Sequence, residues 1–111
     1  MGFGFLESVY RQALLMELAA EGLIATAEAA IDVWFRGRKI GHFRADILVE
    51  GRIIVEIKAS ELLPIDARKQ LLNYLRGSSV EVGLLLHFGP KAKFQRVIHS
   101  NESKLQRAST R

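Results

Sequence analysis

The segment Arg44-Ala45-Asp46-Ile47-Leu48-Val49-Glu50-Gly51-Arg52-Ile53-Ile54-Val55-Glu56-Ile57-Lys58 constrains this chain more than any other stretch. It reads as a β-hairpin turning at Glu50-Gly51-Arg52. With Val49 facing Ile53, the register sets Asp46 opposite Glu56 and Arg44 opposite Lys58. Side chains alternate faces along a strand with period two. Asp46, Glu56 and Lys58 then share one face, and Ala45, Ile47, Val49, Ile53, Val55 and Ile57 share the other. Like charges directly opposite each other destabilise a sheet, so two facing acids beside a lysine call for a compensating charge. A divalent cation supplies one. The plainer alternative is that both acids pair with Arg44 and Lys58 on a solvated face.

The flanking sequence gives this hairpin a context. Leu6, Val9, Tyr10, Ala13, Leu14 and Leu18 recur near helical spacing, which predicts a helix over about residues 4–20, stopped at Gly22. Strand patterns follow at 28–35, at 39–50 with Gly41 marking a bulge or bend, and at 52–59. Pro64 and Asp66 suit the first turn of a second helix that ends at Arg76-Gly77. Residues 80–88 are nearly all apolar and predict a strand buried on both faces, while 94–98 form a weaker last strand. The order αβββαβ, with that further strand, predicts an α/β domain: a mixed β-sheet flanked by helices. Residues 1–100 read as a single domain and the polar residues 101–111 as a frayed tail.

Composition narrows the class of protein. The chain has 111 residues and no cysteine, which excludes disulfides and cysteine-based zinc sites. No apolar run is long enough to span a bilayer, and no basic segment leads into an apolar core at the start. These features predict no membrane partner and a cytoplasmic location. The net charge of +4 permits a nucleic-acid partner without requiring one, because part of the excess sits at Lys104, Arg107 and Arg111. His42, His87 and His99 have no metal-ligand spacing. His87 reads as a partly buried core or site-edge residue, and Trp34 as a packing residue. Gly2 and Gly4 make no phosphate loop, since no strand precedes them.

Asp46, then Glu56-Ile57-Lys58, then a helix, resembles the PD-(D/E)XK nuclease superfamily, in which an acid on one strand is followed by acid-x-Lys on the next. Arg-Ala-Asp stands here where Pro-Asp is usual. More narrowly, Gly4-Phe5-Leu6-Glu7-Ser8-Val9-Tyr10 is similar to the pattern that names the GxxExxY family. The match continues through Phe43 to Asp46, Gln70 to Arg76, and Gly83 to Gly89, so it covers nearly everything from Gly4 to Ile98. Members of that family usually carry one more helical stretch before the Gly-x-x-Glu segment, which leaves open a truncated start or a missed upstream start codon, and Asn where this chain has His87.

The resemblance implies a restriction-endonuclease-like core and a metal-dependent nuclease acting on DNA, less readily on RNA. Glu7, Asp46 and Glu56 would hold Mg²⁺ or Mn²⁺, with the Ile57 carbonyl as a further ligand. Lys58 would stabilise charge on the phosphate and orient the attacking water. Gln70, with Tyr74 one helical turn on, would sit beside the metal, and Tyr10, Arg44 and Tyr74 would contact substrate. The small size makes a homodimer plausible. A non-catalytic nucleic-acid-binding or interaction module that keeps the fold is the competing function.

Overall fold

The computed structural model describes residues 3–102. The chain runs α1 (Phe3–Ala20), β1 (Ala25–Phe35), β2 (Arg38–Val49), β3 (Ile53–Ala59), α2 (Ala67–Gly77), β4 (Val82–Phe88) and β5 (Ala92–Ile98). The expected order is present, and the weaker last strand is a full one. The five strands form one sheet in the order β1-β2-β3-β4-β5. Only β3 and β4 are parallel, joined across a face by α2; the other neighbours are antiparallel. A parallel pair needs such a crossover, whereas antiparallel strands can join by tight turns.

Local chemistry fixes the boundaries. Gly22, at φ 78°, takes the left-handed conformation that ends α1, and two bonds close the motif: Gly22 N–H to the Ala19 carbonyl and Leu23 N–H to the Leu18 carbonyl, both 3.0 Å. The β2–β3 turn places Glu50 and Gly51 at φ 53° and 65°, and the Arg52 N–H closes on the Val49 carbonyl at 2.9 Å. The predicted register holds, with Val49 opposite Ile53, Leu48 opposite Ile54 and Ile47 opposite Val55. The bulge expected near Gly41 is present: Val33 pairs with Gly41 but Trp34 with Lys39, leaving Ile40 as the extra residue. α2 begins after Asp66, whose side chain makes no capping bond. The first residue of the expected tail is anchored, since Asn101 N–H donates to Glu81 at 2.8 Å; residues 103–111 lie outside those described.

Two apolar clusters hold the sheet between its helices. Ile47, Val49, Val55 and Ile57 meet Tyr10, Leu14, Leu15 and Leu18 of α1. On the other face Ile31, Ala45, Ile54, Leu85 and Val97 meet Leu71 and Leu75 of α2. This corrects one expectation, because Ala45 does not share the face of Ile47 and Val49. Alternation along β2 breaks at Asp46. The break lies at the level of Glu28, which has φ 51° and no partner in the β1–β2 pairing between Ala27↔Ile47 and Ala29↔Ala45. The charged face of β3 is therefore on the side of the sheet where α2 packs. Among the described residues no helix is long and apolar enough to cross a membrane.

α2 reaches the sheet because Gly83 has no side chain. A Cβ there would lie 2.8 Å from Leu71 Cδ1 and 2.9 Å from Leu71 Cγ, and Leu71 is only 1% exposed, so it has nowhere to move. Gly83→Ala is expected to cost about 1–3 kcal/mol of unfolding free energy through overpacking, as read from the denaturant midpoint.

Candidate active site

The site forms where two strands part. The β2–β3 pairing runs only as far as Ile47↔Val55. One step further, the Ile57 N–H donates to Asp46 Oδ2 at 2.7 Å. A side-chain carboxylate thus takes a donor that a continued ladder would spend on the β2 backbone. From the opposite face, Glu7 of α1 reaches the same end of β3 and its Oε1 accepts the Ala59 N–H at 3.1 Å. The two acids hold alternate N–H groups of one strand, with Lys58 between them.

Glu56 lies one residue past the last paired position of β3, with Asp46 as its neighbour, and its Oε1 is buried with no hydrogen-bond partner. Burial pushes the Glu56 carboxyl up to about 8, and the neighbouring Asp46 adds to this by charge and by a shared hydrogen bond; Lys58 opposes the shift and is outweighed. Among the described residues, the salt bridges are Arg11 with Glu28 and Lys39 with Asp32, so neither Asp46 nor Glu56 is neutralised by Arg44 or Lys58 within ion-pair distance. The plainer alternative of a solvated, self-paired face is thereby removed. A buried carboxyl oxygen without a donor is costly, and facing acids of this kind fit a hard divalent cation that takes oxygen ligands.

The structure unites some of the expected site residues and separates others. Asp46, Glu56, Ile57 and Lys58 are contiguous across β2 and β3. Tyr74 of α2 joins them: it is half-buried and stacks on Phe43 with ring centroids 3.8 Å apart, and its hydroxyl is held above its ordinary range by burial and then by the charge of Glu56. Gln70, one turn before Tyr74, is exposed. Tyr10 faces the other way, stacked on Phe88 at 3.9 Å within the α1 cluster. Arg44 is exposed on β2. Glu7 stands at the Ala59 end of the site, and among the described residues no three acidic or imidazole side chains converge into a ready cation cage.

Other residues emerge only from the fold. Lys58 pairs in register with His87 of β4. The His87 Nε2 lies 2.9 Å from the Ser60 carbonyl oxygen, which can only accept, so the ring donates from Nε2. Ser60 Oγ in turn donates to the Leu62 carbonyl at 2.7 Å. His87 is partly buried, as its sequence reading expected. Phe43 as the stacking partner of Tyr74 had no sequence signal beyond its place in the family pattern.

Comparison with known proteins agrees with this architecture. A sequence profile of the PD-(D/E)XK nuclease superfamily matches residues 1–97, and the chain belongs to that superfamily. Its members generally use divalent metal ions. Among solved structures, SSO0001 is 24% identical with a TM-score of 0.66, over 96% of this chain and 57% of that one. An alkaline exonuclease, LHK-Exo from Laribacter hongkongensis, is 14% identical with a TM-score of 0.60, over 93% and 60% respectively. Both share the fold, and the chain spans less than two thirds of the length of either. No curated protein sequence matches significantly.

The raised Glu56 carboxyl has a consequence for stability. A carboxyl protonated more readily in the folded state than in the unfolded one contributes stability that is full below 4.5 and is lost as pH rises through about 8. In chelator, the wild-type thermal midpoint is expected to fall across that interval. Glu56→Gln is expected to flatten the fall and to melt several degrees higher than wild type at alkaline pH, as measured by calorimetry.

Proposed function

We propose that this chain hydrolyses phosphodiester bonds of nucleic acid, DNA in preference to RNA, with Mg²⁺ or Mn²⁺ held by Asp46, Glu56 and the Ile57 carbonyl. The observation that carries the reading is the pair of facing, unneutralised acids: Glu56 Oε1 buried without a donor, and Asp46 fixed by the Ile57 N–H. When bound, the cation supplies charge to polarise the phosphate and to acidify a water.

The chain's own groups do the rest. Asp46 is locked in place by its hydrogen bond and presents its other oxygen to the site. Lys58, one residue beyond the Ile57 carbonyl, places its ammonium where negative charge grows on the phosphate and holds the attacking water. Glu7 fixes the end of β3 by binding Ala59 N–H and offers a third carboxylate at the margin of the site. The Tyr74 hydroxyl beside Glu56, and Gln70 one turn before it, orient the substrate. Arg44, exposed on β2, contacts a phosphate. Tyr10, stacked on Phe88, serves by seating α1 so that Glu7 arrives in place. The Gly4-Phe5-Leu6-Glu7-Ser8-Val9-Tyr10 pattern supports a place in the GxxExxY family, and the fold shared with an alkaline exonuclease supports a nuclease reading.

A second reading has its own support. Among the described residues no three acids or imidazoles converge, which favours a module that binds nucleic acid without cutting it. Incubation with linear, nicked and single-stranded DNA plus Mg²⁺ or Mn²⁺ separates the two. Cleavage by the wild type should fall roughly a hundredfold or more in Asp46→Ala and in Lys58→Ala. Cleavage that survives both substitutions would remove the assignment of the site, and binding without cleavage under either metal would favour the module.

A further inference from the structure

A cleft of about 580 Å³ opens beside the site, floored by Leu85 and His87 and bordered by Glu61, Lys91, Lys93 and Gln95. Its position is set by register. Lys58 of β3 pairs with His87 of β4, and His87 with Lys93 of β5. One step along, Glu56 pairs with Leu85 and Leu85 with Gln95. Paired residues point to the same side of a sheet, and adjacent strands lie about 4.8 Å apart. Leu85 and Val97 belong to the cluster under α2, so both rows lie on the face that carries Glu56 and Lys58. The inner row begins at the buried acid and ends in a neutral amide; the outer row begins and ends in an ammonium.

The wall of the cleft is fixed by the histidine. His87 Nε2 binds the Ser60 carbonyl at 2.9 Å, and a Cβ at Gly89 would lie 2.9 Å from His87 Cε1 and 3.0 Å from the Ser60 oxygen. The ring is thus clamped between the loop after β3 and the turn after β4, holding the Glu61 and Leu63 wall against the sheet. Lys91 and Lys93 outnumber Glu61, the single acid among the cleft's lining residues, so the rim favours an anion.

We propose that this cleft is a strand-binding subsite: a single strand leaving the scissile position crosses β4 toward β5, and Lys93 binds a phosphate flanking the one at Lys58. His87 acts as a positioning residue, and Gln95 meets the sugar or base edge above Leu85. The proposal rests on the nucleic-acid reading given above and adds the path the strand takes.

The test is fluorescence anisotropy of a labelled single-stranded deoxyoligonucleotide, titrated over a range of salt, with cleavage measured in parallel in Mn²⁺. Lys93→Glu should weaken binding roughly tenfold, and Lys93→Ala should lower the slope of log K against log salt by about 0.7, the share of one phosphate on a single strand. Arg38→Glu, an exposed charge reversal at the far end of the β1–β2 hairpin, should stay within about twofold of wild type, as an exposed cation away from the strand's path releases no counterion when the strand binds. Equal losses at Lys93 and Arg38, unchanged binding in Lys93→Glu, or no binding by the wild type would overturn the subsite. Binding that depends on Lys93 without any cleavage would uphold the subsite and sink the hydrolytic reading alone.

Discussion

The hydrogen bond from Ile57 N–H to Asp46 Oδ2 is the interaction around which the rest of this protein is arranged. It marks the point where the β2–β3 ladder stops and a carboxylate takes over a backbone donor. Because Asp46 is held there, its charge stays against Glu56, which has its own buried oxygen without a donor. A sheet that paired fully through this point would tie the Ile57 N–H to backbone and leave Asp46 free to swing away. The local break in alternation at Asp46, level with the left-handed Glu28, belongs to the same irregularity. Backbone strain of this kind persists where surrounding packing over-determines it, and here two apolar clusters press on the sheet from both sides.

Packing and chemistry are coupled through that arrangement. α2 packs on the face that carries Glu56, and burial raises the Glu56 carboxyl to about 8. The same helix brings Tyr74 onto Phe43 beside the acids. α1 covers the opposite face, yet its Glu7 reaches round to the end of β3. The protein therefore carries a destabilising acid pair in its sheet and offsets it with core burial elsewhere.

Much of this was legible in the sequence. Alternation and the Glu50-Gly51 turn gave the hairpin register from Val49↔Ile53 to Ile47↔Val55, and Asp46 and Glu56 are neighbours just past the point where that pairing ends. Helical spacing located α1, and Gly22 ended it. The apolar run at 80–88 identified β4 as an inner strand. Two readings needed the third dimension. Ala45 changes face because the β1–β2 pairing is broken near Asp46, and a period-two count has no way to register a break it cannot see. Tyr10, which the family resemblance set against substrate, stacks on Phe88 within the α1 cluster, since its helical spacing with Leu14 and Leu18 also puts it on the apolar face.

The sequence by itself determined the strand and helix order, the hairpin register and the set of acids with their lysine, because each depends on neighbours a few residues apart. Only the tertiary structure decided that β4 lies parallel beside β3, which sets His87 next to Lys58 and Lys93 beyond it. It alone decided that α2 packs on the face that carries Glu56 and Lys58. Strand order and helix placement depend on long-range burial, and the same alternating pattern is compatible with more than one neighbour. The surroundings of Asp46 and Glu56 are therefore set by long-range packing rather than by their neighbours in sequence.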